Sequence, residues 1–205
     1  MGTQDSGTAD DEHSDRPESI DRAEVLLIDK KGYVDSEQAD SVSQGGTYGT
    51  RLDNGRLELE PEEILHLIER GRVIVRDEDG IILGLGDVVR RYFEDDTFLW
   101  TRYLVFRDLR GRGYVVRQGF GGRIGFRVYA RGDRPGMASA NQLVYILKEG
   151  EPISLHDLDS VTETAAAARK KLVFALVDQN GEINYYRVAQ IDLKRKEGTA
   201  NVELV

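Results

Sequence analysis

There is no cysteine in the chain, which removes disulfide bonds and thiolate metal ligands together. No apolar run approaches the roughly 18 residues that a membrane-spanning helix requires, and no signal peptide is expected at the start. Positive charge is short as well. The formal net charge is −9, which argues against a generic nucleic-acid clamp, since such surfaces are normally basic. Histidine is limited to His13, His66 and His156. What remains is a chain of 205 residues, 40% hydrophobic and 32% charged, with room for one ordinary domain or two small ones. A soluble, cytoplasmic globular protein is the simplest expectation.

The acid is unevenly spread. Asp5, Asp10, Asp11, Glu12, Asp15, Glu18 and Asp21 crowd the first 22 residues, among only two arginines and almost nothing apolar. Such a segment cannot bury enough surface to offset its ordering entropy, so residues 1–22 are expected to be a disordered tail. Glu24 to Ile28 has the pattern of a short buried strand. Residues 29–56, rich in Gly, Ser and Asp, are expected to be turns and short extended pieces. Pro61 suits the first turn of a helix that carries Ile64, Leu65 and Ile68 on one face and stops at Gly71, with His66 part of its surface. A hairpin across Asp77-Glu-Asp-Gly80 and a helix near 87–94 complete a small α+β unit over residues 23–95.

Thr97 is placed to cap a longer helix ending near Leu109, before the Gly111-Arg-Gly113 turn. Strands are expected at about 114–117, 125–129 and 142–148. A helix follows over 154–170, with a break near Asp159 and an alanine run from Ala165 to Ala168. Strands over 172–177 and 183–191 are joined by Asp178-Gln-Asn-Gly-Glu182, where Asn180-Gly181 is a tight-turn signal. Residues 194–205 are expected to be a loose polar tail.

Tyr103-Leu-Val-Phe-Arg-Asp-Leu-Arg-Gly-Arg-Gly-Tyr-Val-Val-Arg117 resembles the start of the catalytic domain of the tRNA-intron endonuclease family. The likeness continues through Gly125-Phe-Arg-Val-Tyr129, Leu143-Val144, Arg169-Lys-Lys-Leu172, Ala175-Leu-Val-Asp178 and Gly181-Glu-Ile-Asn-Tyr-Tyr186. Tyr48-Gly49 and the Leu57-to-Gly71 segment are similar to the family's small N-terminal domain. The resemblance implies an α+β fold: a small N-terminal α+β domain, then a nuclease-like C-terminal domain, residues 96–193, with a mixed sheet flanked by helices.

The resemblance also implies a chemistry that uses neither metal nor cofactor. A tyrosine deprotonates the ribose 2′-hydroxyl, a histidine protonates the departing 5′-oxygen and a lysine stabilises charge on the phosphate. A 2′,3′-cyclic phosphate and a 5′-hydroxyl result. Tyr129 matches the tyrosine and Lys170 the lysine. The histidine's place in the run Ser139-Ala-Asn-Gln-Leu-Val144 is held by Ser139, whose hydroxyl does not titrate near neutrality. His156 shares the domain, but its spacing does not bring it to the site. The family's base-clamping arginine, seven residues before the lysine, is replaced by Glu163, which would repel RNA phosphates.

Taken without the resemblance, Tyr129 is a packed strand-end ring and Lys170 a solvated cation. Arg107, Arg110, Arg112 and Arg117 look like an RNA patch, or equally like cations suited to a helix C-terminus. The family likeness casts Asp178 and Glu182 as an acidic loop that docks into a basic cleft of a neighbouring subunit. It pairs the last strand with its counterpart in a partner. The implied function is a structural, non-cutting subunit of a tRNA-splicing endonuclease. It would join a catalytic subunit in a tetramer of two dimers and help read the bulge-helix-bulge of precursor tRNA by shape. The alternatives are an active metal-independent endoribonuclease that tolerates Ser139, and a non-enzymatic RNA-binding or assembly protein on the same scaffold.

Overall fold

Alternation in Ala23-Glu-Val-Leu-Leu-Ile28 puts Ala23, Val25 and Leu27 on one buried face, and these residues form β1, Ala23–Ile28. The computed structural model describes residues 22–190 apart from 45 and 122. The acidic stretch over 1–21 and the polar tail expected from 194 onward lie outside the described residues. A turn at Asp29, which has a φ of +50°, returns the chain into β2, Lys31–Val34. There follow α1 (Ser36–Gln44), β3 (Thr50–Arg51), β4 (Leu57–Leu59), α2 (Pro61–Glu69), β5 (Val73–Arg76), β6 (Ile82–Leu83) and α3 (Leu85–Phe93). The strands make one sheet in the order β3-β4-β2-β1-β5-β6, mixed because β1 runs parallel to β5 and antiparallel to β2.

The second half holds α4 (Leu99–Gly111), β7 (Val115–Gly121), β8 (Ile124–Tyr129), β9 (Gln142–Lys148), α5 (Leu155–Ala167), β10 (Lys171–Val177) and β11 (Ile183–Val188). Its sheet order is β11-β10-β9-β8-β7, with β9 and β10 parallel through the α5 crossover and the other pairs antiparallel. The fold is thus α+β with a mixed sheet in each half. One apolar core runs through both halves, from Val25 and Leu65 to Phe106, Phe126, Ile146 and Ala175. A smaller cluster under α5 joins Val161 and Ala165 to Leu143, Tyr145, Leu172 and Phe174.

Helix α2 is the joint between the halves. Its first-turn carboxylates Glu62 and Glu63 are 1% and 3% exposed, and each meets an arginine of the second half. Glu62 meets Arg102 at 2.6 Å and Glu63 meets Arg117 at 3.1 Å. Burial raises both carboxyl groups above their ordinary range, and the facing guanidinium opposes that shift. Glu63 also accepts from the Gly49 and Glu60 amides at 3.0 Å each. Further along α2, Glu69 takes a hydrogen bond from Tyr103 at 2.6 Å and an ion pair from Arg107 at 3.1 Å.

Four local expectations are corrected. The region 29–56 contains a helix, α1, because Ala39 and Val42 lie one turn apart and bury together. Helix α4 is not capped by Thr97. It starts at Leu99 beyond Phe98, whose amide donates to the Asp96 carboxylate at 3.2 Å. Helix α5 passes Asp159 without a break, held by the Ser154 cap and by burial of Val161 and Ala165. His66 is 5% exposed rather than on a helix surface, because α4 covers that side of α2 with Phe106.

Candidate functional site

Backbone pairing converges on one end of the second sheet. Val128 of β8 lies opposite Gln142 of β9, which lies opposite Lys171 of β10. The Asn141 amide donates to the Val128 carbonyl at 3.0 Å, and the Lys171 amide donates to the Asn141 carbonyl at 3.0 Å. Tyr129, Ser139–Asn141 and Lys170 are therefore brought together from three adjacent strand ends, although 41 residues of sequence separate the first from the last.

Tyr129 closes β8 opposite Val115 and is 6% exposed. Lys170 sits in the turn between α5 and β10. There Arg169 takes a left-handed φ of +54°, and the Lys170 amide donates to the Ala165 carbonyl at 2.9 Å. The Lys170 ammonium donates to the carbonyl oxygen of Ala140, the residue after Ser139. An ammonium has three donors, so two remain to meet an anion. Ser139 is exposed at the end of the loop over 130–141. That loop is folded by hydrogen bonds from Asp133 to Ala130 and from Met137 and Ala138 to Arg134.

The arrangement brings a phenol and an ammonium to the same end of one sheet. The third residue brought there, Ser139, carries a hydroxyl that stays neutral through the physiological range. His156 lies at the start of α5, beside Leu155, Asp159 and Val188 in a cleft that adjoins the Lys170 cleft at Thr162 and Val188. Glu163 stands on the exposed side of α5. Among the described residues, no group of His, Asp and Glu is arranged to hold a metal ion.

The four arginines singled out from the sequence are engaged within the protein. Arg107 pairs with Glu69, Arg112 with Asp108 at 2.7 Å and Arg117 with Glu63. Arg110 donates to the Gly46 and Tyr114 carbonyls and lies 4.2 Å from the centre of the Tyr48 ring. A different set, of which only Lys170 is singled out from the sequence, lies around the site. Arg131, Arg134, Arg169, Lys170, Lys171 and Arg187 make no ion pair among the described residues, whereas most lysines and arginines up to Arg123 face a carboxylate. Arg169, Lys170, Lys171 and Arg187 share a cleft of about 420 Å³ with Ala165. Local rather than net charge sets the attraction for phosphates, so an acidic chain carries one cationic end. Only distribution of partners reveals it, and a linear count of arginines does not.

The loop over 178–182 is a tight turn closed by the Asp178 amide on the Glu182 carbonyl at 3.0 Å. The Asp178 carboxylate accepts from the Asn180 and Glu182 amides at 2.9 and 2.8 Å, which leaves Glu182 as the exposed acid of the loop. Strand β11 follows as a sheet edge with Tyr186 54% exposed, and Leu155, 84% exposed, lines a cleft with Val188 of that strand.

Comparison with known proteins identifies both halves. Residues 99–185 match the model for the tRNA intron endonuclease, catalytic C-terminal domain, and residues 23–89 match that for the tRNA intron endonuclease, N-terminal domain. A tRNA-splicing endonuclease of Methanothermobacter thermautotrophicus is 34% identical over 173 residues, covering 82% of this chain and 96% of that protein. One of Thermococcus gammatolerans is 34% identical over 164 residues, covering 76% and 95%. The tRNA-splicing endonuclease of Methanococcoides burtonii is 33% identical over 173 residues, but the chain spans only 47% of its length. With a matching domain in each half and relatives aligned almost end to end, the chain belongs to the tRNA-intron endonuclease family.

Proposed function

We propose that this chain is a structural, non-cutting subunit of a tRNA-splicing endonuclease, acting on introns of precursor tRNA at bulge-helix-bulge sites. The observation that carries the reading is Ser139, which stands beside the lysine's anchor where an acid catalyst is needed. Loss of a positioned general acid costs about 10²- to 10⁴-fold in rate. Glu163, an exposed carboxylate on the nearby helix, weakens the grip on a flipped base further.

The chain joins a catalytic subunit through the free β11 edge, where Tyr186 and Leu155 offer apolar surface. Two such pairs assemble through the loop bearing Asp178 and Glu182, forming a tetramer. The cationic end around Lys170 and Arg187 supports contact with the RNA backbone. Co-expression with a family member that has histidine in place of Ser139 tests the partnership: a stable complex of both chains is expected, and failure to co-purify contradicts it.

The second reading, an active enzyme that tolerates Ser139, draws on the presence of Tyr129 and Lys170 at the same end of one sheet. Ser139→His separates the two. If the site is intact but lacks its acid, this variant gains cleavage by about 10²-fold or more over the unaltered chain, with a rate that falls as the imidazole deprotonates. An unaltered chain that already cuts, with no gain in the variant, favours the second reading.

A further inference from the structure

The tip between β7 and β8 is built around Phe120. A Cβ added to Gly119 would lie 1.8 Å from the Ile124 carbonyl oxygen, and Gly121 has a φ of +92°. Close approach on one side and a left-handed turn on the other both demand glycine. Between them Phe120 is held outward, 56% exposed.

A single exposed phenylalanine is ordinary, but this ring has a companion. The Arg127 guanidinium carbon lies 5.5 Å from the ring centre, and its Nε donates to the Gln118 carbonyl at 2.8 Å, which fixes the plane of the fork. Arg117, opposite Arg127 in register, is neutralised by Glu63, while Arg127 has no ion pair among the described residues. A flat cation and a flat ring thus stand side by side on a fixed hairpin.

Arg127 precedes Tyr129 by two residues on β8. It therefore lies on the same strand face, opposite the core residues Phe126 and Val128, and about 7 Å along the strand from it. An aromatic face beside an arginine is the chemistry that receives an unstacked nucleobase. A protein partner would call for a broader apolar patch, yet the tip itself offers glycines and arginines around this ring.

We propose that Phe120 and Arg127 form a stacking platform for an unpaired nucleobase of the precursor RNA, at the far end of the β7–β8 hairpin from Tyr129. This rests on the RNA-recognition reading above. The base stacks on the exposed ring, and Arg127, over the ring, supplies positive charge to the adjoining phosphate.

The test is fluorescence anisotropy of a labelled bulge-helix-bulge RNA with the full chain. A second set of RNAs carries an abasic residue at each bulge position in turn. Phe120→Ala is expected to weaken binding by about 5- to 100-fold, with Phe120→Trp retaining it. The salt dependence should stay unchanged, because no phosphate contact is removed. With one particular abasic RNA, the unaltered chain should bind as weakly as Phe120→Ala, and the substitution should cost nothing more. Equal binding by Phe120→Ala, or a loss that is the same for every abasic RNA, overturns the platform. So does a change in the mass of the assembly with RNA affinity untouched, which would make Phe120 a protein contact. Absence of RNA binding by the unaltered chain overturns the recognition reading and the platform with it. Thermal unfolding of Phe120→Ala at the unaltered temperature confirms that the fold is intact.

Discussion

At the scale of single residues, burial decides behaviour that residue type leaves open. His66 lies between Tyr48 and Phe106, with ring centres 6.0 and 5.7 Å away, and its Nδ1 has no hydrogen-bond partner among the described residues. Burial lowers its pKa to about 4, helped by the nearby Arg110 and Arg70. The folded state therefore binds fewer protons than the unfolded state once pH falls below about 6.5. Stability from this group is complete above that value and is lost as pH falls towards 4, about 2 kcal/mol by pH 5. Glu62 and Glu63, shifted upward by burial, act in the opposite sense, so the comparison must be made against a variant. Urea unfolding of His66→Gln between pH 7 and 5 should lose about 2 kcal/mol less than the unaltered chain. Identical slopes would contradict the account. Tyr129, Ser139 and Lys170 are proposed as the site because the resemblance aligns them, and the fold brings their strand ends to one end of the sheet. His66 and Phe120 are not legible in the sequence, since one is buried by a helix 40 residues away and the other is exposed by a turn only its backbone explains.

Elements are legible where local pattern and tertiary packing agree. The Pro61 helix, the 73–83 hairpin and the turn at Asn180-Gly181 appear where periodicity and turn chemistry place them. Helix α1 is hidden because only Ala39 and Val42 face the core within a polar run. The expected break in α5 is absent because Asp159 and Ser160 point to solvent, where their carbonyls accept from Thr162 and Thr164 hydroxyls at 2.8 Å without interrupting the helix. The caps make a paired prediction. Ser154 accepts from the Asp157 amide at 3.0 Å, so Ser154→Ala should cost about 1 kcal/mol in denaturant unfolding. Thr97, exposed and outside the cap of α4, should tolerate alanine within about 0.5 kcal/mol. A costly Thr97→Ala would restore it as the start of that helix.

For the whole molecule, the joint at α2 and the cationic end of the second sheet matter most. Arg102 bridges the buried Glu62 and the half-buried Asp96, at 2.6 and 2.7 Å. Removing it strands a carboxylate in the shared core, and Arg102→Ala should destabilise the chain by about 3–5 kcal/mol. Arg112→Ala, which breaks a largely exposed pair with Asp108, should cost no more than about 1 kcal/mol. Similar losses for both would mean that the halves are not held by the buried pair. In the molecule so joined, we propose, Tyr129 and Lys170 keep the family's chemistry while Ser139 stands where the proton must come from. Cleavage of intron-containing precursor tRNA by the purified full chain, alone and mixed with a histidine-bearing family member, tests that most directly. The RNA should stay uncut with the chain alone and be cut when the second subunit is added. Cutting by the chain alone, abolished by Tyr129→Phe, would contradict it.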